Sequence, residues 1–308
     1  MAKFQIFTDS CSDLDKAHRE AAGVEYCRMK CVIDGEEHWA DLDWNEFKPE
    51  TFYGWLAEGK HMKTTQVPYE EFVEKFTPLL EKGIDVLYIA CSHKLTGSMN
   101  IFNLVKQELQ EKFPDRKMIG VDSLNACVGE AMIVLDAAAQ QKAGLSIEEV
   151  EKWVIENRNR YNWFATVETL TYIKNAGRIK GSKAVLGNIF HKKPIFISDS
   201  QGNNYTLGTV TGTKNADKLI VEGIVKQIEK DRSQRVIISQ GMAQERAQRM
   251  KEALMEALNI EPEIWWIGPI IGTTCGPGVI VAGCVGKEVT IFEGDGKATP
   301  LDFSTLSE

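Results

Sequence analysis

The sequence has no excess of positive charge. Its 36 Lys and Arg residues face 44 Asp and Glu residues, giving a formal net charge of −8. This excludes a general nucleic-acid or anionic-membrane binder, since those need a basic footprint. No apolar run approaches the ~18 residues of a membrane span. The first ten residues lack the apolar core and small-residue cleavage site of a secretory signal. The seven cysteines are odd in number and scattered. Cys27 and Cys31 are the only close pair, with no second pair or histidine at zinc-site spacing. Reduced, mostly buried thiols and a cytoplasmic location are therefore expected. There is no Gly-x-Gly-x-x-Gly after a strand and no Gly-x₄-Gly-Lys-Ser/Thr, which removes the usual dinucleotide and P-loop readings. His-Glu-x-x-His and Gly-x-Ser-x-Gly are also missing. No cofactor or metal is expected.

Hydrophobic residues make up 43% and charged residues 26% of the 308-residue chain, an ordinary globular balance. At ~150 residues per domain, two domains are expected. Strand-like and helix-like segments alternate along most of the length, which predicts an α/β fold with mainly parallel sheets. A polar stretch at Asn157–Tyr161 puts the boundary near residue 158. The halves are then 1–158 and 159–294, followed by a tail at 295–308. An Asp34-Gly35 turn predicts a hairpin between Tyr26–Ile33 and Glu36–Ala40. Pro78 should kink or end the helical stripe that starts near Tyr69. Ser146 and Glu149 form a capping-box pattern. In the second half, strands are expected at Trp163–Val167, Pro194–Ile197, Tyr205–Val210, Arg235–Ser239, Glu263–Ile267, Val279–Val285 and Val289–Phe292. Helices are expected at Ser182–Phe190, Lys214–Glu229 and Ala243–Leu258.

In open parallel sheets, ligands sit beyond the carboxyl ends of the strands. Three polar clusters fall there: Thr8-Asp9-Ser10, Ser92 through Ser98, and Asp122-Ser123. Leu95-Thr96-Gly97-Ser98 leads straight into a helix, so its hydroxyls and free N–H groups suit an anion. Thr96 or Ser98 can equally cap that helix. Thr64-Thr65-Gln66 is a second hydroxyl-rich loop, able to hold a carboxylate or phosphate oxygen or to cap a helix. Arg178, bracketed by Gly177 and Gly181, can fork onto an anion or remain a surface residue. In Thr273-Thr274-Cys275-Gly276-Pro277-Gly278, the Gly-Pro-Gly implies a tight turn that lets backbone approach a ligand. Cys275 invites a nucleophile reading, but a catalytic thiol needs an activating neighbour. No motif pairs His18, His38, His61, His93 or His191 with it.

Taken together, Thr8-Asp9-Ser10, Thr64-Thr65-Gln66, Leu95-Thr96-Gly97-Ser98, Asp122-Ser123, Asn175-Ala176-Gly177-Arg178-Ile179 and Cys275-Gly276-Pro277-Gly278 resemble the DegV family in order and spacing. Those bacterial proteins bind fatty acids for a fatty acid kinase. The resemblance runs to about residue 292. It implies two α/β domains with a long-chain fatty acid in the cleft between them. It implies a carboxylate held by Thr64, Thr65, Thr96, Gly97 and Ser98, with Thr274 beside it and Arg178 orienting the carboxylate or docking the kinase. It also implies a carrier that is not itself an enzyme, with catalysis in a separate kinase subunit. The family often has histidine where this chain has Thr274, followed by Cys275, so one donor is missing. A different class of function is a stand-alone hydrolase or transferase using Cys275 or a hydroxyl as nucleophile.

Overall fold

The computed structural model describes residues 3–180 and 192–292, with the side chains of residues 179 and 180 left aside. The helix expected at Ser182–Phe190 and the tail at 295–308 lie outside the described residues. The first part of the chain forms β1 (Phe4–Asp9), α1 (Lys16–Ala22), β2 (Glu25–Cys27), β3 (Met29–Ile33), β4 (Glu36–Ala40), α2 (Pro49–Ala57), β5 (Met62–Thr64), α3 (Tyr69–Glu81), β6 (Asp85–Ala90), α4 (Ser98–Lys112), β7 (Met118–Asp122), α5 (Cys127–Lys142) and α6 (Ile147–Asn157). The second part forms β8 (Tyr161–Thr166), α7 (Thr171–Ala176), β9 (Ile179–Lys180), β10 (Lys192–Ser198), β11 (Asn204–Thr211), α8 (Thr213–Gln227), β12 (Val236–Gln240), α9 (Gln244–Leu258), β13 (Glu263–Trp266), α10 (Pro269–Cys275) and β14 (Ile280–Val285).

The first sheet, in the order β2-β1-β6-β7, is parallel throughout. β6 is buried along its whole length, as expected for a strand covered on both faces. A small antiparallel sheet, β4-β3-β5, stands beside it. Its hairpin turns on Asp34 and Gly35, both at positive φ (51° and 97°), which a two-residue type I′ turn requires. The expected hairpin strand from Tyr26 is split: Tyr26 and Cys27 pair with β1, and only Met29–Ile33 joins β4.

The second sheet corrects an expectation. Its order is β13-β12-β14-β8-β10-β11-β9, and it is mixed rather than mainly parallel. Only β12–β13 and β9–β11 pair in parallel, while the four central pairings are antiparallel. An apolar run shows that a strand is covered on both faces but not which way it runs. Val289–Phe292 is not a strand; it is pinned by backbone bonds from Val289 N–H to Asn159 and from Ser200 N–H to Ile291.

α3 runs through Pro78 to Glu81 instead of stopping there. Its inner face buries Phe72, Phe76 and Leu80. At roughly 1.5–3 kcal/mol each, that burial outweighs the ~3 kcal/mol a helical proline costs. The Ser146–Glu149 capping box is formed. α5 is the element that joins the two large sheets. Every residue from Cys127 to Leu135 is buried, because the helix packs on the first sheet through one side and on the second through the other. One core therefore runs from Ile6, Leu87 and Val121 through Val128, Met132 and Val134 to Trp163, Ile237 and Val281. Two side chains tie the loops across this junction. Ser92 Oγ donates to Gly202 O (2.7 Å), and Ser198 Oγ donates to Leu124 O (2.8 Å).

Candidate functional site

The first polar cluster is scaffold. Asp9, fully buried at the end of β1, accepts from Tyr88 OH (2.6 Å), Cys11 N–H (2.9 Å) and Cys91 N–H (3.1 Å). Burial raises its pKa, against the pull of these hydrogen bonds. Thr8 donates to Glu130 (2.7 Å). Ser10 Oγ donates to Ala40 O (2.7 Å) and accepts from Met29 N–H (2.9 Å). These bonds fix the loops after β1 and β6 and the start of β3. Cys11, Cys91 and Met29 thereby become walls of a cavity of about 300 Å³.

Six of the residues singled out from sequence line this cavity: Thr64, Thr65, Thr96, Gly97, Arg178 and Thr274. Thr64 ends β5, and its hydroxyl has no hydrogen-bond partner among the described residues. Thr65 Oγ1 accepts from Lys30 N–H (3.2 Å) and donates to Gln66 O (2.9 Å). Gly97 caps α4. A Cβ there would sit 2.1 Å from Gln66 Oε1, so glycine lets the Gln66 amide lie against the start of α4, where the helix dipole is positive. Thr96 Oγ1 pairs with Ser98 Oγ (3.0 Å) and accepts from Ser98 N–H (3.3 Å).

Ser98 departs from the expected site. It is fully buried, its Oγ accepts from Val67 N–H (3.1 Å), and it is not on the cavity wall. It anchors the loop before α3 to the start of α4. Two hydroxyls two residues apart look alike in sequence, and only the long-range contact with Val67 separates them.

Arg178 follows Gly177, which ends α7 in the left-handed region (φ 65°). That sharp exit aims the guanidinium across the cavity rim. Nε donates to Leu95 O (3.3 Å) and Nη1 to Ala176 O (2.5 Å), with no carboxylate partner among the described residues.

Thr274 lies in α10, a helix not expected from sequence, and the expected Gly-Pro-Gly turn follows it, with Gly276 and Gly278 at positive φ (76° and 84°). α10 packs on β3 and β5 from the far half of the chain. Gly268 N–H, at its start, donates to the buried Asp13 Oδ1 (2.8 Å). Gly272 passes Tyr53 so closely that a Cβ would lie 2.7 Å from its hydroxyl. The Thr274 hydroxyl donates back to Ile270 O (3.2 Å).

A second, almost wholly apolar cavity of about 60 Å³ adjoins the first and shares Leu95, Asn204, Ile271 and Thr274 with it. Its farther walls include Trp163, Phe196, Val279 and Val281. Trp163 is held in place by its indole N–H, which donates to Asn125 Oδ1 (3.1 Å). Sequence reasoning missed Asn204, as well as Cys11, Cys91 and Met29. None carries a local motif: Asn204 and Met29 reach the wall through strand pairing, and Cys11 and Cys91 through their backbone bonds to Asp9. A larger cavity of about 410 Å³, beside Lys226 and residues 287–291, contains none of the residues singled out from sequence.

Cys275 lines the apolar cavity, where no activating neighbour for its thiol is found among the described residues. Burial, reinforced by the charge of Asp13, pushes its thiol up to about 12. None of the four described histidines lines either cavity. His18, His38 and His93 pair with carboxylates elsewhere. Among the described residues no cluster could hold a metal ion, and no helix is long and apolar enough to cross a membrane.

Residues 3–286 match the family described as "Uncharacterised protein, DegV family". A DegV domain-containing protein of Clostridium perfringens is 34% identical, with 91% of this chain and 96% of that protein covered. A DegV family protein from Thermus thermophilus, whose structure is described for its fatty acid binding, is 25% identical; the match covers 92% of this chain and all of that one, with a TM-score of 0.81. A stearic acid-binding protein from Eubacterium ventriosum shares the fold at 21% identity and a TM-score of 0.83, covering 92% and 98% of the two chains.

Proposed function

The chain belongs to the DegV family, and from that premise we propose that it binds a long-chain fatty acid and presents it to a separate fatty acid kinase in the cytoplasm. The observation that carries the reading is the joined pair of cavities, one edged by threonine hydroxyls and the other almost wholly apolar. A fatty acid has the same two-part chemistry. Each buried methylene contributes roughly 0.8 kcal/mol, so about ten give roughly 8 kcal/mol. That is comparable to the cost of association. A buried carboxylate without hydrogen bonds would cancel much of this gain. Thr64 and Thr96, the start of α4 and the Arg178 guanidinium supply donors for it, while the hydroxyls of Thr65 and Thr274 would have to leave Gln66 O and Ile270 O to join them. Hydroxyl donors leave the carboxylate oxygens less tightly paired than a fully buried ion pair would, which suits a group that must later accept a phosphoryl group. On this reading the chain itself is a carrier, and catalysis belongs to the separate kinase. The fatty acid binding described for the Thermus and Eubacterium proteins supports the same reading.

The test is to denature the purified protein in organic solvent and analyse the extract by mass spectrometry. A fatty acid at one per chain is expected. Repeated recovery of empty protein that also fails to take up added fatty acid would sink the proposal. With ATP and a fatty acid kinase, acyl phosphate should form only when this chain is present.

A further inference from the structure

We propose that Asn204 forms a hydrogen-bonding subsite for an oxygen on the acyl chain, so that the preferred ligand is a hydroxylated fatty acid. This rests on the fatty-acid reading above. Asn204 opens β11 and is half-buried at the junction, as a wall of both cavities. Its backbone is engaged on both sides, through the register with Ser198 and with Ile179. Its side-chain amide has no hydrogen-bond partner among the described residues. The neighbouring Asn203 is different, since its amide is tied to both oxygens of Asp199 (3.2 and 3.0 Å). The other polar wall shared by the cavities, Thr274, already donates to Ile270 O. Asn204 therefore brings the uncommitted donors and acceptor to the neck.

Thr206 gives an independent sign. It stands two residues along the same strand, hence on the same face. It pairs directly with Phe196, a wall of the apolar cavity, and opposed residues in an antiparallel pair share a face. Thr206 is 5% exposed, and its Oγ1 has no hydrogen-bond partner among the described residues. Two unpaired polar groups thus share one face of β11, and of the two Asn204 is the one on the cavity walls. A plain alkyl chain would strip water from the Asn204 amide and return nothing. A hydroxyl close to the carboxyl end would both donate and accept there.

The experiment uses the full chain, stripped of lipid, and displacement of a fluorescent fatty acid by hexadecanoic acid or by its 2-hydroxy or 3-hydroxy derivative. One of the hydroxy acids should bind about tenfold more tightly than the plain acid, as one net hydrogen bond gives. Asn204→Leu should erase that preference while holding hexadecanoic acid at least as well. Thr206→Val, on the same face of β11 but remote from the neck, should leave the preference in place, and its loss there as well would overturn the assignment to Asn204. Equal affinity for all three acids in the wild type overturns the subsite and needs no variant. Equal weakening of all three by Asn204→Leu also overturns it, since Asn204 would then grip the carboxylate. A wild-type chain that binds none of the acids defeats the fatty-acid reading itself.

Discussion

Asp13→Asn should flatten the pH dependence of stability. Asp13 is buried at the end of a single 3₁₀ turn, Ser10–Ser12, and is in the left-handed region (φ 51°). Oδ1 accepts from Gly268 N–H (2.8 Å), and Oδ2 has no hydrogen-bond partner among the described residues. Burial, joined by the charge of Asp9, raises its pKa from 3.8 to about 7, against the Cys127 and Gly268 hydrogen bonds. The folded carboxyl keeps its proton at pH values where the unfolded one has lost it. The unfolded chain therefore binds fewer protons between pH 3.8 and about 7, and stability falls as pH rises through that window. At pH ~5.5 the unfavourable contribution is about 2 kcal/mol, because the unfolded group is already mostly ionised. At pH ~8 it reaches about 4 kcal/mol, the full separation of the two pKa values at 1.36 kcal/mol per unit. The wild type should lose about 2 kcal/mol over that interval from this group alone. Asparagine keeps the acceptor for Gly268 but does not titrate. Urea unfolding of both proteins at the two pH values gives the difference directly. Parallel pH dependences would refute the reasoning and return Asp13 to an ordinary carboxyl.

The remaining expectations concern the cavity walls and one buried ion pair. Thr64→Val and Thr96→Val should each weaken fatty-acid binding about tenfold or more, as loss of a hydrogen bond to a charged group does; unchanged affinity in both, read by displacement titration, would move the carboxylate elsewhere. Cys275 should resist alkylation by iodoacetamide in the folded protein at pH ~7.5, because a thiol raised this far is protonated; intact-mass analysis that finds rapid single labelling there would contradict it. Arg28→Ala should cost about 3 kcal/mol in urea unfolding, since it strips the fully buried Glu71 of Nε and Nη2 contacts at 2.9 and 2.8 Å; a loss below ~1 kcal/mol would show that Lys75, 3.9 Å away, holds the charge alone.

The parts of the fold that follow from short-range chemistry were legible in advance. The Asp34-Gly35 turn needs two positive φ angles, and few residue pairs supply them. The Ser146–Glu149 box names its own helix start. The hydroxyl and glycine clusters at strand ends pointed to six of the cavity walls for the same reason. What depended on distant partners was hidden. Ser98 is turned inward by Val67. Asn204 gains its position from the pairing of β11 with β10 and β9. α10 was not expected, because Thr273-Thr274-Cys275 has little helical preference of its own; packing on β3, β5 and α2 supplies what propensity lacks. Pro78 predicts a kink or an end, and burial of Phe72, Phe76 and Leu80 carries the helix past it. The direction of the second sheet's strands is topological, and apolar periodicity is blind to it.

α5 sets the terms on which any ligand enters or leaves. Its nine residues from Cys127 to Leu135 are buried between the two large sheets. Swinging those sheets apart would wet that helix on one side. Even four large side chains, at roughly 1.5–3 kcal/mol each, would cost about as much as a protein's whole stability. Exchange must therefore go through the perimeter. Arg178, reaching Leu95 O from an exposed position, is lightly held by comparison. Loading and unloading then become a matter of unlatching a doorframe while the building stands still, with a rate set by local opening and insensitive to global stability.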